Sequence, residues 1–476
     1  IVLSFGAISD VHINSTNKDG EEKFKSAILC LIEEAKKDDA DGLDALAIAG
    51  DIADTGKASE VQTFANIVKN YFPNKNVMLT TGNHDYYGNK VNMTNYYDTM
   101  GAEYFANDTV DSDIASGSRH CVVNGYHFVF VEPQKYGSGC PYTQETIEWL
   151  DKTLENITKE NPNAYVFVFT HPMIYKTCYG SELGGSWYTT YLTDTLSKYP
   201  QVMTFGGHLH FPINDERSIM QNQFTSLGCG SVQYMAIENG AYEDMSSATV
   251  MKDNAEVSSG YLTQVDAKGN VRFIRLDFTR KASIKTPWVL ETPSADGAHL
   301  AKYSTNRADT NKAPVLPEDA ISITDNAATD AETIFAKVTW KAGTDDDVIH
   351  HYVLTVKDGD RVMETSCKKV LADYYRSPQV SQMKTEYTYD LGTGVFDRGS
   401  KYTFELVAYD TWGAESNKVV YTYEPKLDLE GAKIPDTYID VDFAGGAATV
   451  AKGPATIELV GATVADTAVK HNGVSK

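Results

Sequence analysis

Short apolar runs and amphipathic stretches take turns along the first part of the chain. Ile1–Ile8 (IVLSFGAI), Asp44–Ala49 (DALAIA) and Asn76–Thr81 (NVMLTT) have the length and content of strands. Between them, Glu21–Lys37 places apolar residues at helical spacing, and Ser59–Tyr71 does the same. Strand, helix, strand, helix, strand predicts parallel strands joined by crossover helices, hence an α/β fold. Further runs at Tyr126–Val131, Ala164–Phe169 and Val202–Phe205 read as strands, with a helix near Gln144–Glu160 between the first two. Gly260–Phe278 reads as a hairpin turning at Lys268-Gly269-Asn270.

The pattern then changes. Residues 292–318 are rich in Pro, Ala, Asn, Thr and Asp and carry no apolar period. From Ala320 to Tyr423 the runs are short and alternating (FAKVTW, HYVLTV, EYTYDL, YTFELVAYD), which predicts an all-β unit. Four units are therefore expected: an α/β domain at 1–285, a linker or wrap at 286–312, a β-sandwich at 313–425, and a β-rich segment at 426–476. The last has few aromatic residues for a core of its own and reads as a truncated further domain or a sandwich edge.

Composition narrows the function classes. The 476 residues are 42% hydrophobic and 22% charged, the balance of a folded globular protein too long for one core. No apolar run reaches the ~18 residues of a membrane span. Ile1–Phe5 reads as a core strand, and no signal peptide is present in the sequence. A formal net charge of −23 repels nucleic-acid backbone, so no nucleic acid polymer is expected as a partner. Small phosphorylated substrates stay open, because bound cations reverse the local field. Six cysteines form no CxxC motif, so a zinc knuckle is not indicated. Cys30, Cys121 and Cys229 read as buried thiols, whereas Cys140 and Cys178 lie in Gly- and Tyr-rich loops and are candidates for a disulfide in an oxidising compartment.

The candidate chemistry sits directly after the strand-like runs. Asp10-Val11-His12, Gly50-Asp51, Gly82-Asn83-His84-Asp85, His171 and Gly207-His208-Leu209-His210 each follow one. Ligands in open α/β sheets gather beyond the carboxyl ends of strands, so five distant segments converge on one edge. Asp, Asn and His offer oxygen and imidazole donors for divalent Mn, Fe or Zn. The i, i+2 spacing of Asp10/His12 and His208/His210 would put each pair on one face of an extended backbone.

In this order the five motifs resemble the calcineurin-like metallophosphoesterase family over roughly residues 1–280. The resemblance implies a four-layer α-β-β-α sandwich followed here by an all-β sandwich. It implies two divalent metal ions, one held by Asp10, His12 and His210, the other by Asn83, His171 and His208, with Asp51 bridging. A hydroxide between the ions would attack phosphorus, and His84, a non-ligand, would protonate or stabilise the leaving group, with Asp85 orienting it through the second imidazole nitrogen. Purple acid phosphatases carry an iron-binding tyrosine three residues after the second motif's aspartate. Here that residue is Asp54, so a purple ferric site is not expected.

The later unit, with Trp340, Tyr352 and Tyr402, resembles a fibronectin type III-like sandwich and suggests a spacer with cell-surface or glycan contacts. The expected function is an extracytoplasmic, bacterial phosphodiesterase, secreted or at the cell surface. A phosphomonoesterase or nucleotidase is the alternative, and a non-catalytic adhesion protein a third. Tyr86, Tyr87, Tyr136, Tyr175, Tyr179, Trp187, Tyr188 and Phe211 are either a substrate wall or loop packing, and Arg119 and Lys176 are candidates to touch phosphate. His120, His127, His299, His350, His351 and His471 read as ordinary residues, and the Asp38-Asp39 and Asp345–Asp347 clusters as solvated loop charge.

Overall fold

The computed structural model describes residues 1–427 and 470, 471, 474 and 475, except 73–75, 88–90, 106–116, 138, 185–186, 239–247, 252–255, 330 and 377–378. The segment expected from residue 426 lies almost wholly outside the described residues.

The chain begins β1 (Leu3–Ile8), α1 (Asp19–Ala35), β2 (Ala45–Ala49), α2 (Ala58–Tyr71), β3 (Val77–Thr80) and α3 (Met93–Met100). It continues through β4 (Arg119–Val123), β5 (Tyr126–Phe130), α4 (Gln144–Glu160), β6 (Val166–Thr170), β7 (Met173–Ile174), β8 (Tyr188–Thr189), α5 (Thr193–Leu196) and β9 (Val202–Gly206). Next come β10 (Ile219–Gln221), β11 (Thr225–Gly228), β12 (Ala236–Glu238), β13 (Ala248–Val250), β14 (Ser259–Val265), β15 (Val271–Asp277), β16 (Ala282–Ser283) and β17 (Trp288–Leu290).

These strands form two main sheets. One runs β16-β15-β14-β1-β2-β3, with β17 also on β15; the other runs β10-β11-β9-β6-β5-β4. The expected β1, β2 and β3 are parallel neighbours, as are β5, β6 and β9. The hairpin expected at 260–278 is β14–β15, with Gly269 at φ 86° in its turn.

Alternation along each strand assigns its two faces, although the strands read as continuous apolar runs because both faces are covered. Ala45, Ala47 and Ala49 of β2 share a core with Phe128 and Phe130 of β5, Phe167 and Phe169 of β6 and Phe205 of β9. Small residues on one sheet thus receive the rings of the other. Phe169 stacks on Phe205 at 4.6 Å and 4°, and on Phe130 at 4.8 Å and 16°. The intervening Leu46 and Ile48 pack with Phe24, Leu31 and Phe64 of α1 and α2. Val129, Val166 and Val168 pack with Leu150 and Leu154 of α4. Residues of α1 and α2 thus pack on β2, and residues of α4 on β5 and β6.

The stretch expected as a linker or wrap is ordered. Trp288–Leu290 pairs with β15, and Arg307 donates to the Glu216 and Ile219 carbonyls at 2.9 and 2.6 Å. A β-rich region follows, comprising β18 (Ile321–Asp325), β19 (Phe335–Lys341), β20 (Ile349–Asp358), β21 (Arg361–Val362), β22 (Cys367–Leu371), β23 (Glu386–Thr393), β24 (Tyr402–Asp410) and β25 (Val419–Tyr423). It forms sheets β18-β19-β23 and β21-β20-β24-β25, with β22 also on β20. Trp340 is fully buried against Tyr352 and Tyr387.

Candidate metal centre

Each predicted site segment leaves the carboxyl end of a parallel strand: β1, β2 and β3 in one sheet, β6 and β9 in the other. Backbone bonds lock these exits together. Asp10 N donates to Gly50 O at 3.1 Å, His12 N to Asp51 O at 3.0 Å, and Gly207 N to His171 O at 3.0 Å. Gly50 has φ 88°, and a Cβ there would lie 2.5 Å from His171 Nδ1, so only glycine fits.

The i, i+2 pairs do not sit on extended backbone, contrary to the expectation from their spacing. Asp10, His12, Asp51, His208 and His210 all have positive φ, between 49° and 72°. Left-handed conformations are costly for residues with a Cβ and cluster where function imposes them. The chain coils after each strand to bring alternate side chains inward.

Two buried groups of donor atoms result, Asp10, His12, Asp51 and His210 in one and Asp51, His171 and His208 in the other; a third, partly buried group joins His12 to Asp54 and His84. Asp51 belongs to both buried groups. In the first group, His210 Nε2 lies 3.0 Å from Asp10 Oδ1 and 3.4 Å from His12 Nε2. In the second, His171 Nε2 lies 3.3 Å from Asp51 Oδ2 and 3.1 Å from Asn83 Oδ1. Asp51 Oδ1 accepts the His84 N–H at 2.8 Å, whereas the buried Oδ2 has no hydrogen-bond partner. A buried, unpartnered carboxylate oxygen is costly unless a cation meets it.

The outer nitrogens fix the tautomers. His171 Nδ1 lies 2.7 Å from Ala49 O, and His210 Nδ1 lies 3.0 Å from Tyr234 O. A carbonyl only accepts, so each Nδ1 carries a proton and each Nε2 is the nitrogen left to face the donor groups. His12 Nδ1 faces Asp54 Oδ1 at 3.0 Å. The potential inside is strongly negative. Burial works against charge on His12, but hydrogen bonds to Asp10 and Asp54 and the charge of Asp51 push it up to about 10. Burial also opposes charge on His171, yet the Asp51 carboxylate pushes it up to about 9. Burial raises the Asp51 carboxyl, but His171 and His12 outweigh it and hold the group below its usual range. The donor set attracts cations and suits divalent metals.

His84 stands outside the two buried groups and meets them through His12 and Asp54. Its Nδ1 lies 2.8 Å from Asp54 O and 3.5 Å from Asp54 Oδ1. Burial lowers its pKa, but the Asp54 contact and the Asp51 charge leave it raised overall. Asp85, expected to orient His84, does not face it. The Asp85 carboxylate is fully buried and accepts from Ala53 N at 2.8 Å, Gly82 N at 2.7 Å, Ile52 N at 3.3 Å and Tyr96 Oη at 2.6 Å. It ties the β3 turn to the β2 turn, and Asp54 takes the place foreseen for it. Asp54 was visible in the sequence only as the residue replacing a tyrosine.

Other expectations are corrected. Cys140 and Cys178 are buried and form no disulfide, and the other four cysteines are buried and unbridged as well. Arg119 is buried and donates to Leu79 O, pointing into the core rather than at substrate. Asp347 pairs with Lys285 and accepts from Thr411 Oγ1, so it is not merely solvated.

A sequence model of the calcineurin-like phosphoesterases matches residues 3–212, the stretch that carries all five motifs. Residues 3–212 are a calcineurin-like phosphoesterase domain. No curated protein matches the chain. Among solved structures, purple acid phosphatase PPD1 from yellow lupin (Lupinus luteus) seeds aligns at 13% identity and TM-score 0.44, over 63% of this chain and 56% of its own. The chain thus spans a little over half the length of that enzyme. PhoD aligns at 10% identity and TM-score 0.36, over 62% of this chain and 70% of its own. Among the described residues of the phosphoesterase domain and the region after it, no helix is long and apolar enough to cross a membrane.

Proposed function

We propose that the chain is a binuclear metal-dependent phosphoesterase that hydrolyses a small phosphodiester. The observation that carries this reading is Asp51, which is common to both buried donor groups and whose Oδ2 is buried without a hydrogen-bond partner. Asp10, His12 and His210 would hold one divalent ion; Asn83, His171 and His208 would hold the other; Asp51 would serve both. Such ions supply Lewis acidity toward phosphoryl oxygens and an activated water.

The remaining work belongs to the chain's own side chains. His84 Nδ1, held by the Asp54 carbonyl, leaves Nε2 as the nitrogen that carries a proton toward the leaving oxygen. The raised pKa of His84 favours the protonated form that this step needs. Asp54 acts as a positioning residue, since it contacts both His84 and His12. A cavity of about 490 Å³ bounded by Asn83 and His208 gives room for an organic ester substituent.

The same reading divides the chain into a four-layer α-β-β-α domain at 1–285, a wrap at 286–312 and a fibronectin type III-like sandwich at 313–425. The sandwich would act as a spacer in an extracytoplasmic enzyme. The test of the activity is hydrolysis of bis(p-nitrophenyl) phosphate against p-nitrophenyl phosphate after chelation and re-addition of Mn, Fe or Zn. We expect metal-dependent turnover with kcat/KM at least about tenfold higher for the diester. A reversed ratio would make it a monoesterase, and no turnover with any metal would contradict the proposal.

A further inference from the structure

The cavity beside the second donor group has a wall of rings. Tyr86, Tyr87 and Tyr136 line it together with Asn83, His208 and the exposed Lys135. Tyr136 is anchored, its hydroxyl donating to Thr81 O and its ring edge-on to His171 at 5.7 Å. Tyr86 meets Tyr136 at 5.2 Å and 61°. Tyr87 lies 4.7 Å from the His84 ring and accepts from Asn83 Nδ2 at 3.3 Å, yet remains 51% exposed. A large aromatic side chain held at the mouth of a cleft with half its surface in water has a face left to cover. Tyrosines present broad, stiff surfaces at small entropic cost, and a flat ring is the group that uses them best.

We propose that this cavity receives an aromatic ring carried by the substrate's organic group, stacked on the wall formed by Tyr86, Tyr87 and Tyr136. The ring enters on the side of Asn83 and His208, so the phosphorus it is attached to lies over the shared Asp51. Tyr87 connects the ring's seat to the proton donor, because it touches His84 and lines the cavity. The substrate class is an aryl or nucleoside phosphoester rather than an alkyl or sugar one. This inference rests on the metal-site reading above, and its test separates the two.

The experiment uses the full chain reconstituted with metal and measures inhibition of p-nitrophenyl ester hydrolysis. The probes are phenylphosphonate against cyclohexylphosphonate, AMP against ribose 5-phosphate, and inorganic phosphate. Stacking of one ring predicts at least about fivefold tighter inhibition by the aromatic member of a pair. A preference in both pairs identifies any flat ring, and one confined to AMP identifies a nucleobase; either supports the proposal. The Tyr86→Leu/Tyr87→Leu double variant is expected to lose that ratio, each constant being referred to the variant's own constant for inorganic phosphate. Inhibition by phosphate with no aromatic preference, or a preference unchanged in the double variant, would overturn this inference alone. Absence of both hydrolysis and phosphate inhibition would overturn it together with the metal-site reading.

Discussion

The Nδ1 of His84 lies 2.8 Å from the carbonyl oxygen of Asp54, while the Asp54 carboxylate reaches His12 Nδ1 at 3.0 Å. One residue therefore orients both the proposed proton donor and a proposed metal ligand. Asn14 Nδ2 donates to the other carboxylate oxygen and holds it in place. Asp54→Asn keeps the backbone carbonyl, but it removes the charge and turns one of the two accepting oxygens into a donor, so the contact with His12 or with Asn14 is lost. Loss of a ligand's outer hydrogen-bond partner typically costs about 10–100-fold in metal affinity or activity. We expect weaker binding of one metal ion and a fall in kcat of that order, checked by metal titration alongside kinetics. Unchanged values for both would remove Asp54 from this role.

His84→Ala should separate chemistry from metal binding. The side chain contributes no donor atom to either buried group that shares Asp51. We expect metal content to stay intact while turnover falls about 10²–10⁴-fold on an ester with a poor leaving group. With p-nitrophenolate, which leaves without a proton, the loss should be much smaller. Equal losses on both esters would contradict a proton-donor role.

The two sheets are held by rings against small residues, and Phe169 stacks on both Phe130 and Phe205. Phe169→Ala opens a cavity in a fully buried place. The expected cost is about 3–5 kcal/mol, read from denaturant unfolding. Because β6 leads directly to His171, loss of metal affinity should accompany the loss of stability.

Acid should loosen the contact between β12 and β20. There Glu238 Oε1 lies 2.5 Å from His350 Nε2, and His350 Nδ1 lies 2.8 Å from His351 Nδ1. A neutral His351 donates to His350 Nδ1 and leaves His350 Nε2 facing the Glu238 carboxylate. Burial lowers His351 from 6.5 to about 3, helped by the nearby His350 and Lys369. Burial raises Glu238, but His350, Lys369 and Tyr179 outweigh it and bring the group from 4.5 to about 2. Both folded values lie below the unfolded ones, so the unfolded chain binds more protons in between. Stability is full above pH 6.5 and is lost as pH falls, first through His351 and then through Glu238. A thermal midpoint falling steadily from pH 7 to pH 4 is expected, with a shallower slope in His351→Phe, which keeps a ring against Tyr409. A flat profile in the parent chain would contradict this.

The helices α1, α2 and α4 were legible from the sequence to within about two residues, because their apolar spacing is strong and one face of each is wet. The strands were legible as runs, but which residues faced which layer was not, since both faces of β2, β5 and β6 are buried. The ligand candidates stood out because each follows a strand. Their left-handed backbone did not, since no local pattern marks Asp10 or His208 as anything but extended. Asp85 misled because it neighbours His84 in sequence, while the turn sends its carboxylate to the amides of Ile52, Ala53 and Gly82. Asp54 and the His350–Glu238 contact depend on residues 30 and 112 positions apart, which no short motif encodes.

The central claim is that Asp51 serves two metal ions at once, and metal content tests it most directly. The parent chain and Asp51→Asn, each reconstituted with excess Mn, Fe or Zn and freed of loose ions, should be compared by elemental analysis per mole of protein. The account predicts about two ions in the parent chain and a clear loss in Asp51→Asn, with hydrolysis falling in step. One ion or none in the parent chain, or two retained in the variant, would contradict it.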